Sequence, residues 1–195
     1  SQKPKGIVIT LPDAAALGKS VKAAIAAGIP VVSMNSGSDD YASLGISAHV
    51  GQTEFEAGVG GGQKMKAAGG KKALCVNHEV GNVALDRRCA GFKKGFGGSV
   101  DILGTSNDPT EIQKAVAAKL GGGYDTILTL GAGLSGEAAL KALEAAGKVG
   151  NVKLGTFDMS PNMLKAAAAG KVEFLIDQQQ YLQGYLPIAI FAQYM

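Results

Sequence analysis

The sequence predicts an α/β protein whose parallel β-sheets are arranged in two lobes. Short β-rich runs alternate with Ala-rich helical stretches along the chain, which is typical of βαβ units. The chain has 195 residues, of which 46% are hydrophobic and 18% charged, so it can bury a sizeable core. A late strand and a Gln-rich turn at residues 174–180 would carry the chain back to its first part, which implies two lobes.

Strands and helices are predicted from this alternation. The strands are expected at residues 6–10, 30–34, 48–51, 73–76, 100–104, 126–130, 153–157 and 173–176. The helices are expected at residues 14–27, 54–68, 83–95, 110–120, 136–146, 160–169 and 183–194. Asp13 and Asp108 are typical helix-capping residues at two of the starts. The run of three glycines at residues 60–62 lies inside a predicted helix and indicates close helix packing.

A Gly- and Lys-rich joint at residues 67–72 is the predicted lobe boundary. We therefore expect residues 1–69 and 173–195 to form the first lobe, and residues 70–172 to form the second.

Composition argues against several classes of protein. The net charge is +3, but Lys and Arg cluster only in pairs, which predicts a solvated surface and not a nucleic-acid partner. No apolar run reaches the roughly 18 residues that cross a bilayer, so the chain is not expected to be membrane-embedded. The first residues lack the features of a signal peptide, which predicts a mature, trimmed or partial chain.

Candidate binding residues are the polar side chains that follow predicted strands, because ligands of parallel α/β sheets bind at the carboxyl ends of the strands. Neutral amides and hydroxyls dominate there, and they match the hydroxyl groups of a polyol. The residues singled out from the sequence pattern are Asn35, Asn77, His78, Asp158 and Gln178. Turn formation or helix capping is the alternative role for each.

Metal and thiol chemistry is not predicted. Neither His49 nor His78 has Cys or carboxylate neighbours at ligand spacing, so we expect no metal site. Cys75 and Cys89 lack such spacing too and stand in apolar or helical patterns, which favours small buried hydrophobic residues.

One motif supports a different function. Gly131, Gly133 and Gly136 match the GxGxxG pattern between a strand and a helix, and Asp158 follows at the end of the next strand. This arrangement is typical of a dinucleotide-binding βαβ unit. An NAD-dependent oxidoreductase is therefore the alternative hypothesis.

Four motifs, in order along the chain, resemble a known family. They are GIVITLPD at residues 6–13, AGIPVVSMNS at 27–36, RCAGF at 88–92 and GTFD at 155–158. Together they resemble the ribose- and galactose-binding branch of type I periplasmic solute-binding proteins of ABC sugar uptake. Repressor effector domains share this fold, but no DNA-binding helix-turn-helix is visible in the sequence.

The resemblance implies a protein that is not an enzyme and needs no cofactor. Its two Rossmann-like lobes would close on a monosaccharide or polyol and deliver it to an ABC permease. It would work in the periplasm, or lipid-anchored outside a Gram-positive cell.

The resemblance also assigns residues. Asn35 and Ser36 stand where the ribose branch carries Asp and Arg. Arg88, Asp158 and Gln178 match sugar-contacting positions. The family's second-lobe Asn falls within residues 131–133, Gly-Ala-Gly, where no side chain replaces it, and these departures put ribose itself in doubt.

Arg88→Ala is expected to lose at least about 2 kcal/mol of ligand affinity with little loss of stability. Arg87→Ala is the comparison variant, and an equal loss of affinity there would show that Arg88 is the wrong residue.

Family members also begin with two more βα units. The first lobe is therefore expected to be partial, with residues 6–10 in an edge strand that dimerises, aggregates or pairs with a segment outside this sequence.

Overall fold

The structure is a computed structural model that describes residues 4–194. Residues 1–3, on which the expectation about a signal peptide falls, lie outside the described residues. The chain forms two compact units. Unit 1 comprises Ser1–Thr53, Asn82–Ala84 and Gln178–Met195, and unit 2 comprises Glu54–Gly81 and Leu85–Asp177.

The predicted alternation of strands and helices is confirmed. The strands are β1 (Ile7–Ile9), β2 (Val31–Asn35), β3 (Ala48–Gly51), β4 (Lys72–Asn77), β5 (Ser99–Gly104), β6 (Thr126–Thr129), β7 (Lys153–Phe157) and β8 (Phe174–Ile176). The helices are α1 (Ala14–Ala26), α2 (Glu54–Ala67), α3 (Val83–Phe96), α4 (Pro109–Lys119), α5 (Glu137–Ala145), α6 (Pro161–Ala168) and α7 (Gln180–Tyr194).

Two differences from the prediction exceed one residue at the end of an element. Helix α7 begins three residues early, at Gln180, so part of the expected Gln-rich turn is helical. A π-helical segment, Ala132–Gly136, precedes α5 where a Gly-rich turn was expected. Such wide helical turns are rare and often lie at functional sites.

Unit 1 is built on a three-stranded parallel sheet in the order β1-β2-β3. Its core is formed by Leu11, Val21, Val31 and Ile46. Asp13 caps α1 as predicted, because its carboxylate accepts a hydrogen bond from the backbone N–H of Ala16 at 2.9 Å.

Strand β1 lies at the edge of the unit 1 sheet, as predicted. Within residues 4–194 it pairs only with β2, through the register that matches Ile7 with Val31 and Ile9 with Ser33. The other side of β1 has no strand of the described chain. Completion of this lobe by another segment, or dimerisation through β1, stays a prediction.

Unit 2 is built on a five-stranded parallel sheet in the order β5-β4-β6-β7-β8. The first strand of the unit, β4, thus pairs with the second and the third, which is the doubly wound order 2-1-3-4-5. Asp108 caps α4 by accepting hydrogen bonds from the N–H groups of Thr110 and Glu111 at 2.8 and 2.9 Å.

Helix α2 packs against α3 through glycines, in line with the predicted close packing. A Cβ atom at Gly58 or Gly62 of α2 would collide with the backbone of α3. A Cβ atom at Gly91 or Gly95 of α3 would collide with a carbonyl oxygen of α2. The two backbones therefore touch, and α2 belongs to unit 2. The predicted boundary at residues 69/70 had placed α2 in the first lobe. The limits of the two lobes stay a prediction.

Cys75 and Cys89 form a disulfide that joins β4 to α3. Both residues are fully buried, so the predicted burial is confirmed, but the expectation of free thiols acting as hydrophobic residues is wrong. The two positions are 14 residues apart, and only the packing of α3 on β4 brings them within bonding distance.

Reduction of this disulfide should lower the free energy of unfolding by about 3 kcal/mol, since the bond closes a short loop in the unfolded chain. Urea unfolding with and without reductant measures the change, and Cys75→Ser/Cys89→Ser should match the reduced protein. Detection of two free thiols in the denatured, unreduced protein would contradict the pairing.

The glycine contact between α2 and α3 predicts opposite effects for two Gly-to-Ala changes. Gly91→Ala should lower the free energy of unfolding by about 1 to 3 kcal/mol, because its methyl group overlaps α2. Gly60→Ala is the matched control within α2. Nothing lies within 4 Å of a Cβ atom at Gly60, so that change should raise the free energy of unfolding by up to about 1 kcal/mol through helix propensity. Equal effects in chemical denaturation would refute the packing.

Candidate functional site

The predicted ligand residues lie at strand ends in both units. Asn35 is the last residue of β2 and Asn77 the last of β4. Asp158 directly follows β7, and Gln178 comes two residues after β8. Contact of these residues with a ligand stays a prediction.

Left-handed backbone marks three of these positions. Among the described residues, the non-glycine residues with positive φ are Asn35 at 60°, Asp158 at 67° and Gln179 at 56°. Two of them are predicted ligand residues and the third adjoins Gln178. This conformation is disfavoured for residues other than glycine and tends to cluster at binding sites. It turns the chain sharply where each strand ends.

The unit 1 residues form a hydrogen-bonded amide network. The Asn35 side-chain N–H donates to Oε1 of Gln183 at 3.2 Å, and Ser36 Oγ donates to Oδ1 of Asn35 at 3.2 Å. Gln183 Nε2 donates to the Gln178 carbonyl at 2.7 Å, and Gln52 Nε2 donates to Oε1 of Gln178 at 3.1 Å. The network fixes the orientation of the Asn35 and Gln178 amides.

Gln183 was missed by the sequence analysis, although it links the two predicted residues of unit 1. It is one of several glutamines in a short stretch. Only its burial inside α7 distinguishes it, and burial cannot be read from that composition.

The unit 2 residues gather where β4 and β6 lie side by side. The chain order reverses at this point of the sheet, and ligands of doubly wound folds bind at such a switch point. Asn77 ends β4 and His78 directly follows it, and Gly131 comes two residues after the end of β6.

Asn77 is held by protein groups. Its amide N–H donates to Asp86 at 2.8 Å, and its amide oxygen accepts the backbone N–H of Glu79 at 3.0 Å. Asn77 is buried, so its bonds fix the loop that carries His78.

His78 lies beside Ser135, Gly131 and Asp158. Its Nδ1 is 3.3 Å from Ser135 Oγ, which in turn donates to the Gly131 carbonyl at 3.0 Å. Burial lowers the pKa of His78 below its ordinary value of 6.5, and the charge of Arg88 acts in the same direction. Glu79 and Asp158 act in the opposite direction. The imidazole is therefore neutral at neutral pH.

Arg88 is 3% exposed and forms an ion pair with Glu54 of α2. Its Nε and Nη2 both donate to the Glu54 carboxylate, its Nη1 donates to the Leu130 carbonyl at 3.2 Å, and its guanidinium lies over the Phe157 ring.

The buried ion pair argues against the expectation that Arg88→Ala would cost little stability. Removing Arg88 leaves the Glu54 carboxylate, which is 4% exposed, without this partner, and breaking a buried pair typically costs about 3 to 5 kcal/mol. Glu54 itself was missed. It is 34 residues from Arg88, and nothing in the local sequence couples the two.

The glycines of the GxGxxG pattern have unequal surroundings. A Cβ atom at Gly131 would lie 3.1 Å from His78 Cε1, and one at Gly136 would lie 3.1 Å from Thr156 Oγ1. Nothing lies within 4 Å of a Cβ atom at Gly133. The motif also follows β6, the third strand of unit 2, whereas the dinucleotide pattern follows the first strand of its fold.

Metal-ligand clusters and membrane-spanning helices are both absent from the part of the chain that the structure describes. In residues 4–194, no three His, Cys, Asp or Glu side chains are grouped so that they could hold a metal ion. No helix in that part of the chain has the length and apolar character to cross a membrane.

Known proteins resemble this chain along nearly its whole length. A xylose/arabinose-binding protein of Sulfolobus acidocaldarius is 25% identical over 205 residues, covering 96% of this chain and 51% of its own. The structure of a carbohydrate transporter of Acidothermus cellulolyticus, in complex with myo-inositol, is 36% identical with a TM-score of 0.88 and covers 93% of this chain and 63% of its own.

A solute-binding protein of Burkholderia graminis in complex with D-arabinose shares the fold, with a TM-score of 0.84 at 23% identity, over 96% of this chain and 68% of its own. The chain thus spans about half the length of the Sulfolobus relative and less than two thirds of the Acidothermus one. The family model described as a periplasmic binding protein domain matches residues 1–195. The chain belongs to the periplasmic binding protein domain family.

Proposed function

We propose that this protein binds a monosaccharide or polyol outside the cytoplasm and delivers it to an ABC permease. The observation that carries the proposal is the placement of Asn35 and Asp158. Both stand in left-handed backbone at the ends of strands, among amides, hydroxyls and an imidazole. The lobes would close on the ligand as the resemblance implies.

The side chains suit hydroxyl groups. A sugar hydroxyl donates one hydrogen bond and accepts others, so it needs donors and acceptors at fixed positions. The Asn35 and Gln178 amides of unit 1 are oriented by Gln183 and Gln52. Asp158 and His78 of unit 2 supply acceptors.

Arg88 is proposed to contribute through its position. The Glu54 carboxylate and the Leu130 carbonyl together fix the plane of the guanidinium, and a planar guanidinium binds oxygens with defined geometry. Ligand contact by Arg88, and by Ser36 and Asn77, is part of the proposal.

The buried disulfide supports an extracytoplasmic location, in the periplasm or on a lipid anchor. Disulfides persist in oxidising compartments and are rare in the cytosol.

The relatives support the ligand class. A 36% identical structure contains myo-inositol, and the curated relative binds xylose or arabinose. Titration calorimetry of the full-length protein against xylose, D-arabinose, glucose, galactose and myo-inositol tests the proposal. Binding of none of them contradicts it. Enhanced NADH fluorescence on mixing would instead favour the oxidoreductase hypothesis.

Asp158→Asn should weaken ligand binding by roughly 10- to 150-fold, because a hydrogen bond to a charged group contributes about 1.5 to 3 kcal/mol. Asn tolerates the left-handed conformation, so the backbone should not change. The measurement is calorimetry of the variant with the tightest ligand of the panel.

Asp177→Asn is the matched control. Asp177 follows β8 at the outer edge of the unit 2 sheet, away from the β4–β6 junction, so its change should leave affinity as it is. Equal losses in the two variants would show a general charge effect and would remove Asp158 from the site.

A further inference from the structure

We propose that neutral His78 and Asp158 form a subsite, in the space beside Gly131, that accepts hydrogen bonds from two adjacent hydroxyl groups of the ligand. The inference rests on the proposed function, because it specifies the ligand chemistry of the same site. It is carried by one hydrogen-bonded contact and two distances within unit 2.

The hydrogen-bonded contact sets the tautomer of His78. Ser135 is fully buried, and its hydroxyl donates to the Gly131 carbonyl four residues earlier at 3.0 Å, as serines in helical segments commonly do. A hydroxyl has one proton, so Ser135 Oγ must accept from His78 Nδ1 at 3.3 Å. The proton of the neutral ring is then on Nδ1, and Nε2 carries a lone pair.

Two distances measured from Gly131 define the space beside it. A Cβ atom built on Gly131 would lie 3.5 Å from His78 Nε2 and 3.7 Å from Asp158 Oδ2. The side chain of any other residue would therefore begin within 4 Å of both acceptors. Gly131 has an extended φ of −166°, a conformation open to any residue, so its backbone does not demand glycine. Its lack of a side chain leaves room for ligand oxygens.

Two acceptors side by side select two donors. The neutral imidazole and the carboxylate can each accept a hydrogen bond from a hydroxyl group. Both acceptors lie within 4 Å of one point, the position of a Gly131 Cβ atom, so we expect two adjacent hydroxyls of one sugar or polyol to reach them. A ligand that lacks one of them would leave a buried acceptor unpaired, which is costly.

Protonation of His78 should oppose binding. The charged groups that act on the ring are Glu79 in its own loop, Arg88 on α3 and Asp158 after β7. A protonated ring would pair with the Asp158 carboxylate and lose its acceptor. A ligand also buries the ring further, which disfavours its charged form. The ligand should therefore lower the pKa of His78. Affinity should fall as pH drops below the pKa of His78 in the free protein, by up to about tenfold per pH unit.

Nitrogen NMR of the free, histidine-labelled protein tests the tautomer without any ligand. His78→Gln assigns the signals, since His49 is the other histidine. We expect a protonated Nδ1 and an unprotonated Nε2 at neutral pH, with the preference lost in Ser135→Ala. A ring protonated on Nε2 overturns the subsite, whether or not a sugar binds.

Ligand affinity of two Gly-to-Ala variants tests whether the ligand occupies the space beside Gly131. Gly131→Ala should weaken the tightest ligand of the panel by at least about tenfold, equivalent to one lost hydrogen bond of roughly 1.4 kcal/mol. Gly133→Ala is the matched control two residues away and should bind as the unchanged protein does. Unchanged affinity in Gly131→Ala overturns the proposal.

The same NMR signals, followed against pH with and without ligand, test the coupling. A lowered pKa of His78 in the complex supports the subsite, and an unchanged or raised pKa overturns it. Failure of every panel member to bind would instead refute the proposed function, and the tautomer result would still stand.

Discussion

The buried ion pair between Arg88 and Glu54 is the interaction on which the unit 2 site depends. It joins the first residue of α2 to α3, and through the Leu130 carbonyl it reaches the end of β6. One residue further along α3, Cys89 is bonded to Cys75 of β4. One disulfide and one ion pair thus hold α3 against the strands that lead to His78 and Gly131.

The ion pair is possible because α2 and α3 approach closely. Gly58 faces the Arg88 carbonyl itself, so the same turn of α3 that carries the guanidinium rests directly on the α2 backbone. Larger side chains at these glycines would separate the helices and pull the Glu54 carboxylate from Arg88. The high glycine content therefore has a structural use here, beyond the turns that link strands to helices.

The sequence was sufficient for the order and type of the elements, because strand and helix periodicities are local. It also located Asn35, Asp158 and Gln178 at strand ends. It could not reveal the partner of Arg88, the disulfide, or the linking role of Gln183. Each depends on contacts between distant segments, and the chain carries many Gly, Ala and Gln residues that are alike until packing distinguishes them.

Gly131 illustrates why a missing side chain can be as informative as a present one. In comparison with the ribose branch, this Gly-containing segment lacks the second-lobe Asn that binds the ligand in that branch. An imidazole and a carboxylate both lie within 4 Å of the position of a Gly131 Cβ atom. Under the proposed function, His78 and Asp158 would therefore take the place of the amide that the ribose branch carries. An amide both donates and accepts, whereas these two groups only accept. With these two residues in contact with the ligand, as proposed, the site would favour a different hydroxyl pattern from that of the ribose branch within the same fold.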